Sequence, residues 1–201
     1  MPNNKKLLTI AGAFIALALF YRFYGRYKVQ ETEIFSDDSN LWQCYGVKST
    51  KEILRIIDSV ADNFSYGANK TNLKRFLFEI IATESDFGNA KDTTLSSGEG
   101  LTQFDKITFN ELHTELKNKG ETFGNCQSVN YENLRKNPAY SVLLCRYFIY
   151  RRIPSAIPSD ITQRARQWKV YYNTRFGKGT ESHYINMSNK WYNKLNPSYK
   201  V

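Results

Sequence analysis

Residues that bind metal ions or form disulfides are scarce in this sequence, which has three cysteines and two histidines among 201 residues. No two cysteines form a Cys-x-x-Cys pair, and His113 and His183 lie far apart along the chain. Zinc sites of the usual spacing are therefore excluded, and the sequence implies neither a metal nor a cofactor. Two states of the cysteines remain open: a Cys126–Cys145 disulfide with Cys44 unpaired, or three reduced and packed thiols.

Acidic residues are also in short supply. The chain has 28 lysines and arginines against 19 aspartates and glutamates, a formal net charge of +9. This balance favours an anionic partner such as a cell-wall polymer, a phospholipid surface or a nucleic acid. The basic residues are scattered and no usual nucleic-acid-binding signature occurs, so we expect no nucleic acid partner. A basic membrane protein that contacts DNA is the weakest alternative.

Only one long hydrophobic run occurs, and it lies at the N-terminus. The run covers residues 7–24, contains a single charge, Arg22, and follows Lys6. It is slightly short for a helix that spans a membrane, but flanking basic side chains can reach the membrane–water interface. The nearby aromatic residues are also typical of that interface. Because no small-x-small cleavage site follows, residues 1–24 are predicted to be an uncleaved membrane anchor with one transmembrane helix rather than a signal peptide. Residues 25–46 are predicted to be a linker.

The remaining chain, residues 47–201, is predicted to form one mainly α-helical domain. A capping box, Ser49-x-x-Glu52, opens the first helix, and Pro138 suits the first turn of a later one. Apolar residues at helical spacing indicate further helices that begin near Thr108, Ser159 and Glu181. No convincing strand pattern occurs, although a short two-stranded excursion within residues 89–104 is compatible with the sequence.

Glu84 is an unusual residue within this helical pattern. It ends an apolar run in which Leu73, Leu77 and Ile80 share one helical face. At 3.6 residues per turn, Glu84 lies within about 20° of the line through Leu73 and Leu77. A carboxylate in such a stripe is costly to bury as an ion, so proteins avoid it, pair it or use it as a proton donor.

A proton donor at the end of this helix, followed by a Gly- and Ser-rich loop, suits a sugar-cleaving cleft. Glycoside cleavage needs an acid that protonates the leaving oxygen and a group that stabilises the cationic anomeric centre. An apolar helix face can keep a glutamic acid protonated near neutral pH. Glu99 is predicted to be an exposed loop carboxylate, and Asp86, Asp92 and Asp105 to be turn or cap residues, so no second catalytic carboxylate is evident.

Four short motifs follow one another along the chain. They are Glu84-Ser-Asp-Phe87, Gly98-Glu-Gly-Leu-Thr-Gln103, Tyr172-Asn173 and Tyr184-Ile185. In order and separation they resemble the motifs Glu-Ser-x-Phe, Gly-Leu-Met-Gln, Ala-Tyr-Asn-x-Gly and Tyr-Val of lytic transglycosylases. The resemblance covers roughly residues 47–196 and implies a lysozyme-like domain of the goose-type and transglycosylase class.

The resemblance also implies an activity and a set of site residues. Glu84 resembles the single catalytic acid/base of this family, which protonates the glycosidic oxygen between MurNAc and GlcNAc. It then accepts the proton of the MurNAc C6 hydroxyl, which closes a 1,6-anhydro ring. The implied substrate-binding residues are Ser85, near the N-acetyl group or the glutamate; Gln103, in the cleft; Tyr172, hydrogen-bonded to the glutamate, with Asn173; and Tyr184, a wall of the sugar groove.

The sequence departs from the family pattern at several positions. Thr102 replaces the usual methionine, Tyr171 replaces an alanine, and Arg175 stands where a glycine is usual. The loop Gly98-Glu-Gly100 has one residue between its glycines where the family usually places two. These departures leave two alternatives open: a hydrolytic lysozyme-type muramidase, and a non-catalytic module that binds peptidoglycan.

The expected partners are peptidoglycan glycan strands and, through residues 7–24, a lipid membrane. The expected location is a single-pass membrane protein whose catalytic domain faces the cell wall. The setting is a bacterial inner membrane with its periplasm or the membrane of a phage virion, within a larger envelope or virion assembly.

Overall fold

The structure is a computed structural model that describes residues 45–47, 49–90, 98–118, 130–174 and 177–200. The predicted anchor and nearly all of the predicted linker lie outside these ranges. Asp92, Cys126 and Arg175 lie outside them as well. Within the described ranges, no helix combines the length and apolar character needed to cross a membrane.

Helices make up the regular structure of the described residues, which confirms the mainly α class. The α-helices are α1 (Thr50–Asn63), α2 (Lys70–Ser85), α3 (Lys106–Asn118), α4 (Pro138–Arg152), α5 (Ile161–Gln167) and α6 (Glu181–Leu195). A 3-10 helix, Tyr131–Lys136, precedes α4, and a π-helical turn, Trp168–Tyr172, continues α5. In the described part of residues 89–104, the two-stranded excursion is limited to one antiparallel bridge, Glu99–Phe104.

Side-chain caps explain where several helices begin. Ser49 accepts a hydrogen bond from the Glu52 backbone N–H at 3.2 Å, and Pro138 occupies the first turn of α4, both as predicted. The predicted start of α3 near Thr108 is too late. Asp105 accepts the Thr108 N–H at 2.9 Å and caps the helix, so the turn before Thr108 is already helical.

Helix α2 lies at the centre of the domain and packs against α1, α4 and α6. Fully buried apolar residues lie on several sides of this helix: Leu73, Phe76, Leu77, Phe78, Ile80, Ile81 and Ala82. A helix that is apolar nearly all round is a core helix rather than an amphipathic surface helix. The single apolar stripe predicted from Leu73, Leu77 and Ile80 therefore describes only part of its contacts.

The same helix carries a fully buried carboxylate, Glu79, that the sequence analysis missed. Arg164 of α5 donates from Nε to Oε2 and from Nη2 to Oε1, both at 2.7 Å. Tyr184 and Tyr192 of α6 donate their hydroxyl hydrogens to the two carboxylate oxygens at 2.8 and 2.9 Å. This network joins α2, α5 and α6 through one side chain.

The cation of this network is hydrogen-bonded on its remaining side as well. Arg164 Nη1 donates to the carbonyl oxygens of Pro158 and Ser159 at 2.9 and 2.6 Å. Burial alone would lower the pKa of Arg164, but the hydrogen bonds and charge of Glu79 outweigh burial and raise it. Burial, reinforced by Glu79, raises the pKa of Tyr184 well above its usual range, so this phenol stays a donor.

We expect Glu79→Gln to lower the free energy of unfolding by about 3–5 kcal/mol, because it leaves the Arg164 charge buried without a counter-ion. The matched control is Glu115→Gln, which removes a partly exposed carboxylate paired with Arg151 and Arg152. The control should cost no more than about 1 kcal/mol. Urea unfolding followed by circular dichroism measures both, and equal losses would contradict the central role of Glu79.

Candidate active site

Glu84 lies in the last turn of α2 and is half-buried. The indole Nε1 of Trp168 donates a hydrogen bond to Glu84 Oε1 at 2.7 Å. Trp168 is almost fully buried, and its ring centroid lies 5.2 Å from that of Tyr184, which binds Glu79. The Glu84 carboxylate is therefore held by a neutral donor that rests on the core network, while part of the residue stays accessible.

The π-helical turn sets the position of this donor. The Asn173 N–H bonds to the Trp168 carbonyl at 2.9 Å, which spans five residues and widens the helix by one residue. The sequence pattern predicts a helix that begins near Ser159, and it does not predict this wider turn. The extra residue alters the relative direction of the Trp168 and Tyr172 side chains.

Tyr172 is hydrogen-bonded to the turn formed by Gly98–Gln103 rather than to Glu84. Its hydroxyl donates to the Thr102 carbonyl at 2.6 Å, so its one hydroxyl hydrogen is committed there. The predicted hydrogen bond from this tyrosine to the glutamate is therefore supplied by Trp168 instead. Burial, followed by the nearby Cys145 and Glu84, raises the pKa of Tyr172 well above its usual range, so the phenol stays neutral.

The glycine motif forms a tight turn closed by backbone hydrogen bonds. Glu99 N–H bonds to the Phe104 carbonyl at 2.8 Å, and Phe104 N–H returns to the Glu99 carbonyl at 3.1 Å. Gly100 has φ +80°, and a Cβ added there would lie 2.5 Å from Ser141 Oγ. A Cβ on Gly98 would lie 2.4 Å from the Gln103 carbonyl oxygen. Both glycines are therefore required by close approach.

Thr102 connects this turn to α4 by hydrogen bonds. Its side chain is fully buried, with Oγ1 2.8 Å from Ser141 Oγ, and its backbone N–H donates to the same Ser141 oxygen at 3.2 Å. Thr102 thus points into the domain. It supplies polar bonds to α4, and its carbonyl supplies the acceptor for Tyr172.

The prediction of an exposed Glu99 is wrong. This residue is 8% exposed and receives a two-pronged ion pair from Arg135, with Nε and Nη2 at 3.0 and 2.6 Å from its carboxylate oxygens. Arg135 is 36 residues further along the chain, so no local sequence pattern predicts this ion pair.

Asp86 is a turn residue, as predicted. It has φ +48° and accepts from Trp191 Nε1 and Lys190 Nζ, both at 2.7 Å.

Gln103 and Asn173 are half-buried residues at the edges of the site. Gln103 has φ +51°, and its Nε2 donates to the Tyr45 hydroxyl and, at 3.3 Å, to the Gly100 carbonyl. Asn173 Oδ1 accepts from Lys169 Nζ at 2.8 Å. Both residues keep some accessible surface, which a substrate-binding residue needs.

Ser85 and Tyr184 occupy different surroundings from those predicted. Both are fully buried. Ser85 Oγ donates to the Ile81 carbonyl and accepts from the Gly88 N–H, both at 3.2 Å, so it ends α2. Tyr184 donates to Glu79. In this structure neither side chain has exposed surface to offer a sugar.

Cys145 is a fully buried free thiol on α4. Of the two states that the sequence left open, the Cys126–Cys145 disulfide is therefore not formed, and Cys145 is reduced. Burial, with a smaller contribution from the Glu84 charge, raises the pKa of this thiol far above its usual range. Within the described residues, no group of three His, Cys, Asp or Glu side chains is arranged to hold a metal ion.

Comparison of the chain with protein-family models, with curated proteins and with solved structures gives no match. The resemblance to lytic transglycosylases therefore remains a prediction based on the four sequence motifs. The lysozyme-like fold, the activity and the substrate-binding roles are likewise predictions.

We expect Gly100→Ala to destabilise the domain more than Gly67→Ala, although both glycines have nearly the same φ, +80° and +79°. A Cβ on Gly67 meets nothing within 4 Å, so that variant costs only the left-handed backbone term of about 1–2 kcal/mol. The Gly100 variant adds overpacking against Ser141, about 1–3 kcal/mol more. Urea unfolding compares the two, and equal losses would contradict the close packing of this turn.

We also expect Cys145 to resist alkylation in the native chain at pH 8.5. Because the pKa is raised, the thiol stays protonated at this pH, and burial blocks access to it. Iodoacetamide labelling followed by peptide mass spectrometry measures the modification. The same peptide should become fully labelled in urea, whereas rapid labelling of the folded chain would overturn the assignment.

Proposed function

We propose that this chain is a peptidoglycan lytic transglycosylase that cleaves the MurNAc–GlcNAc β-1,4 bond and forms 1,6-anhydro-MurNAc. The observation that carries the proposal is that motifs far apart in the sequence are joined around Glu84. Trp168, a few residues before the Tyr172-Asn173 motif, donates to Glu84, and Tyr172 donates to the Gly98–Gln103 turn through Thr102. The ring of Tyr184, from the last motif, packs on Trp168.

Glu84 is the proposed acid and base. As an acid it gives its proton to the glycosidic oxygen, and the bond from that oxygen to the MurNAc anomeric carbon breaks. As a carboxylate it then takes the proton of the MurNAc C6 hydroxyl, whose oxygen bonds to the anomeric carbon and closes the ring. Its half-buried position leaves the carboxyl group partly accessible to a substrate, and the hydrogen bond from Trp168 orients it.

The carboxylates near Glu84 form ion pairs with basic side chains, which supports ring closure over hydrolysis as the outcome of the reaction. A hydrolase that inverts the anomeric centre needs a second carboxylate to activate water. Among the described residues near Glu84 in the motifs and on α2, Glu79 is paired with Arg164, Glu99 with Arg135, and Asp86 with Lys190. Glu84 is partly accessible and accepts a hydrogen bond from the neutral indole of Trp168, which fits a reaction whose nucleophile is the substrate's own hydroxyl.

The proposal includes a location. Residues 7–24 anchor the chain in a membrane, and the domain faces the cell wall, where it opens the wall locally. The setting is either a bacterial envelope machine or the entry apparatus of a phage that carries a membrane. Detection of the chain in purified virions distinguishes these two settings.

The direct test incubates the full-length chain, purified in detergent micelles, with purified sacculi. Released fragments are identified by mass spectrometry, and we expect anhydro-muropeptides. Glu84→Gln should reduce their release by at least about 100-fold, because the isosteric amide cannot donate or accept the transferred proton. The matched control, Glu132→Gln, alters an exposed carboxylate on the 3-10 helix and should retain activity.

Each contrary outcome has a definite meaning. Fragments with reducing ends would assign the chain to the hydrolytic muramidases. Binding to sacculi without any released fragment would support the non-catalytic module, an alternative that the inward-facing Thr102 favours. Full activity of a correctly folded Glu84→Gln variant would overturn the assignment of the acid.

A further inference from the structure

Two tyrosines form an exposed stacked pair that the proposed reaction does not use. Tyr66 lies in the connection between α1 and α2, and Tyr150 lies in the last turn of α4. Their ring centroids are 4.6 Å apart with an interplanar angle of 22°. Tyr66 is 38% exposed and Tyr150 is 49% exposed, among the most exposed large apolar side chains of the described residues.

A buried cation lies against this pair. The Arg146 side chain is 2% exposed, and its Cζ lies 5.1 Å from the Tyr66 ring centroid and 6.0 Å from that of Tyr150. Its nitrogens donate to the carbonyls of Phe64, at 2.8 Å, and Ser65. Within the described residues no carboxylate pairs with this guanidinium, and burial lowers its pKa to about 10.

The backbone holds Tyr66 outward in an unfavourable conformation. The Ala68 N–H bonds to the Ser65 carbonyl at 2.9 Å, and the two central residues of this turn, Tyr66 and Gly67, have φ of +46° and +79°. Two positive φ values define a turn that normally has Gly, Asn or Asp at both positions. A bulky ring is strained in the first of them, and this ring is nevertheless directed to the surface.

This pair lies apart from the Glu84 site. On α4, Phe148 faces the site, with its ring centroid 5.1 Å from that of Tyr172. Tyr150 follows Phe148 by two residues and so points about 200° around the helix axis from it. A ligand on the tyrosine pair would therefore contact the opposite side of α4 from Glu84.

The chemistry of the pair selects among ligands. Stacked phenols present apolar faces with hydroxyl tips, which suit the apolar face of a pyranose and its hydroxyl groups. The Arg146 charge beneath them, which no carboxylate of the described residues pairs with, disfavours cationic ligands and favours neutral or anionic ones. An N-acetylated glycan strand that bears carboxylate side groups meets both requirements.

We propose that Tyr66 and Tyr150 form a second glycan-binding platform, which holds peptidoglycan strands at a distance from Glu84. This inference depends on the proposed function for the identity of the glycan. The platform keeps the chain on the insoluble polymer between cleavage events, whereas it contributes nothing to the bond-breaking step itself.

The test measures binding of the full-length chain, in detergent and carrying Glu84→Gln, to purified sacculi by co-sedimentation. Adding Tyr66→Asn and Tyr150→Ser should weaken binding about tenfold. The Asn substitution suits the positive φ, so the melting temperature should change little. The matched control is Ile107→Ser, which removes a 73% exposed apolar side chain on α3 and should leave binding unchanged.

A second measurement separates the platform from the catalytic site. In the active chain, Tyr66→Asn with Tyr150→Ser should slow fragment release from sacculi but not turnover of a short soluble muropeptide. Unchanged binding to sacculi in the folded double variant would overturn the platform while leaving the activity of the parent chain intact. If the parent chain itself neither binds sacculi nor releases fragments, the proposed function fails together with the identity of the glycan.

Discussion

The buried pair of Glu79 and Arg164 is the interaction on which the rest of the domain depends. It connects the central helix α2 to α5, and Tyr184 and Tyr192 connect the same carboxylate to α6. Glu84 follows Glu79 on α2, and Trp168 follows Arg164 directly after α5. The network therefore holds together the two elements that carry the Glu84–Trp168 hydrogen bond, and the Tyr184 ring packs against the indole.

A buried ion pair is weak evidence for stability, since desolvation offsets much of its attraction. Its stronger effect is to restrict geometry, because every alternative packing leaves a charge unpaired. Here the two glutamates of α2 illustrate how surroundings set the role of a carboxylate. Glu79 is fully buried and bound to a cation and two phenols, whereas Glu84 is half-buried and bound by a neutral indole. The first has a structural role, and the second is the acid and base of the proposed reaction.

Sequence patterns predicted the features that depend on neighbouring residues. The cap at Ser49, the proline start of α4 and the start of α6 follow from local propensity and periodicity. The features that were missed depend on distant residues. Arg164 is 85 residues from Glu79, and Arg135 is 36 residues from Glu99. The position of Glu79 inside an apolar run was nevertheless a readable signal, of the same kind that singled out Glu84.

The π-helical turn was missed because no local sequence pattern requires it, yet it carries two side chains of the candidate site. It places Trp168 under Glu84 while directing Tyr172 toward the Thr102 carbonyl. Thr102 in turn is bonded to Ser141 of α4, so one buried residue holds the glycine turn to both α4 and the π-helical turn. Thr102 therefore supplies polar bonds at the position where the transglycosylase motif has a methionine. Glu84 is thus linked through Trp168 and Tyr184 to the network around Glu79, and Tyr172 of the same π-helical turn is bonded to Thr102.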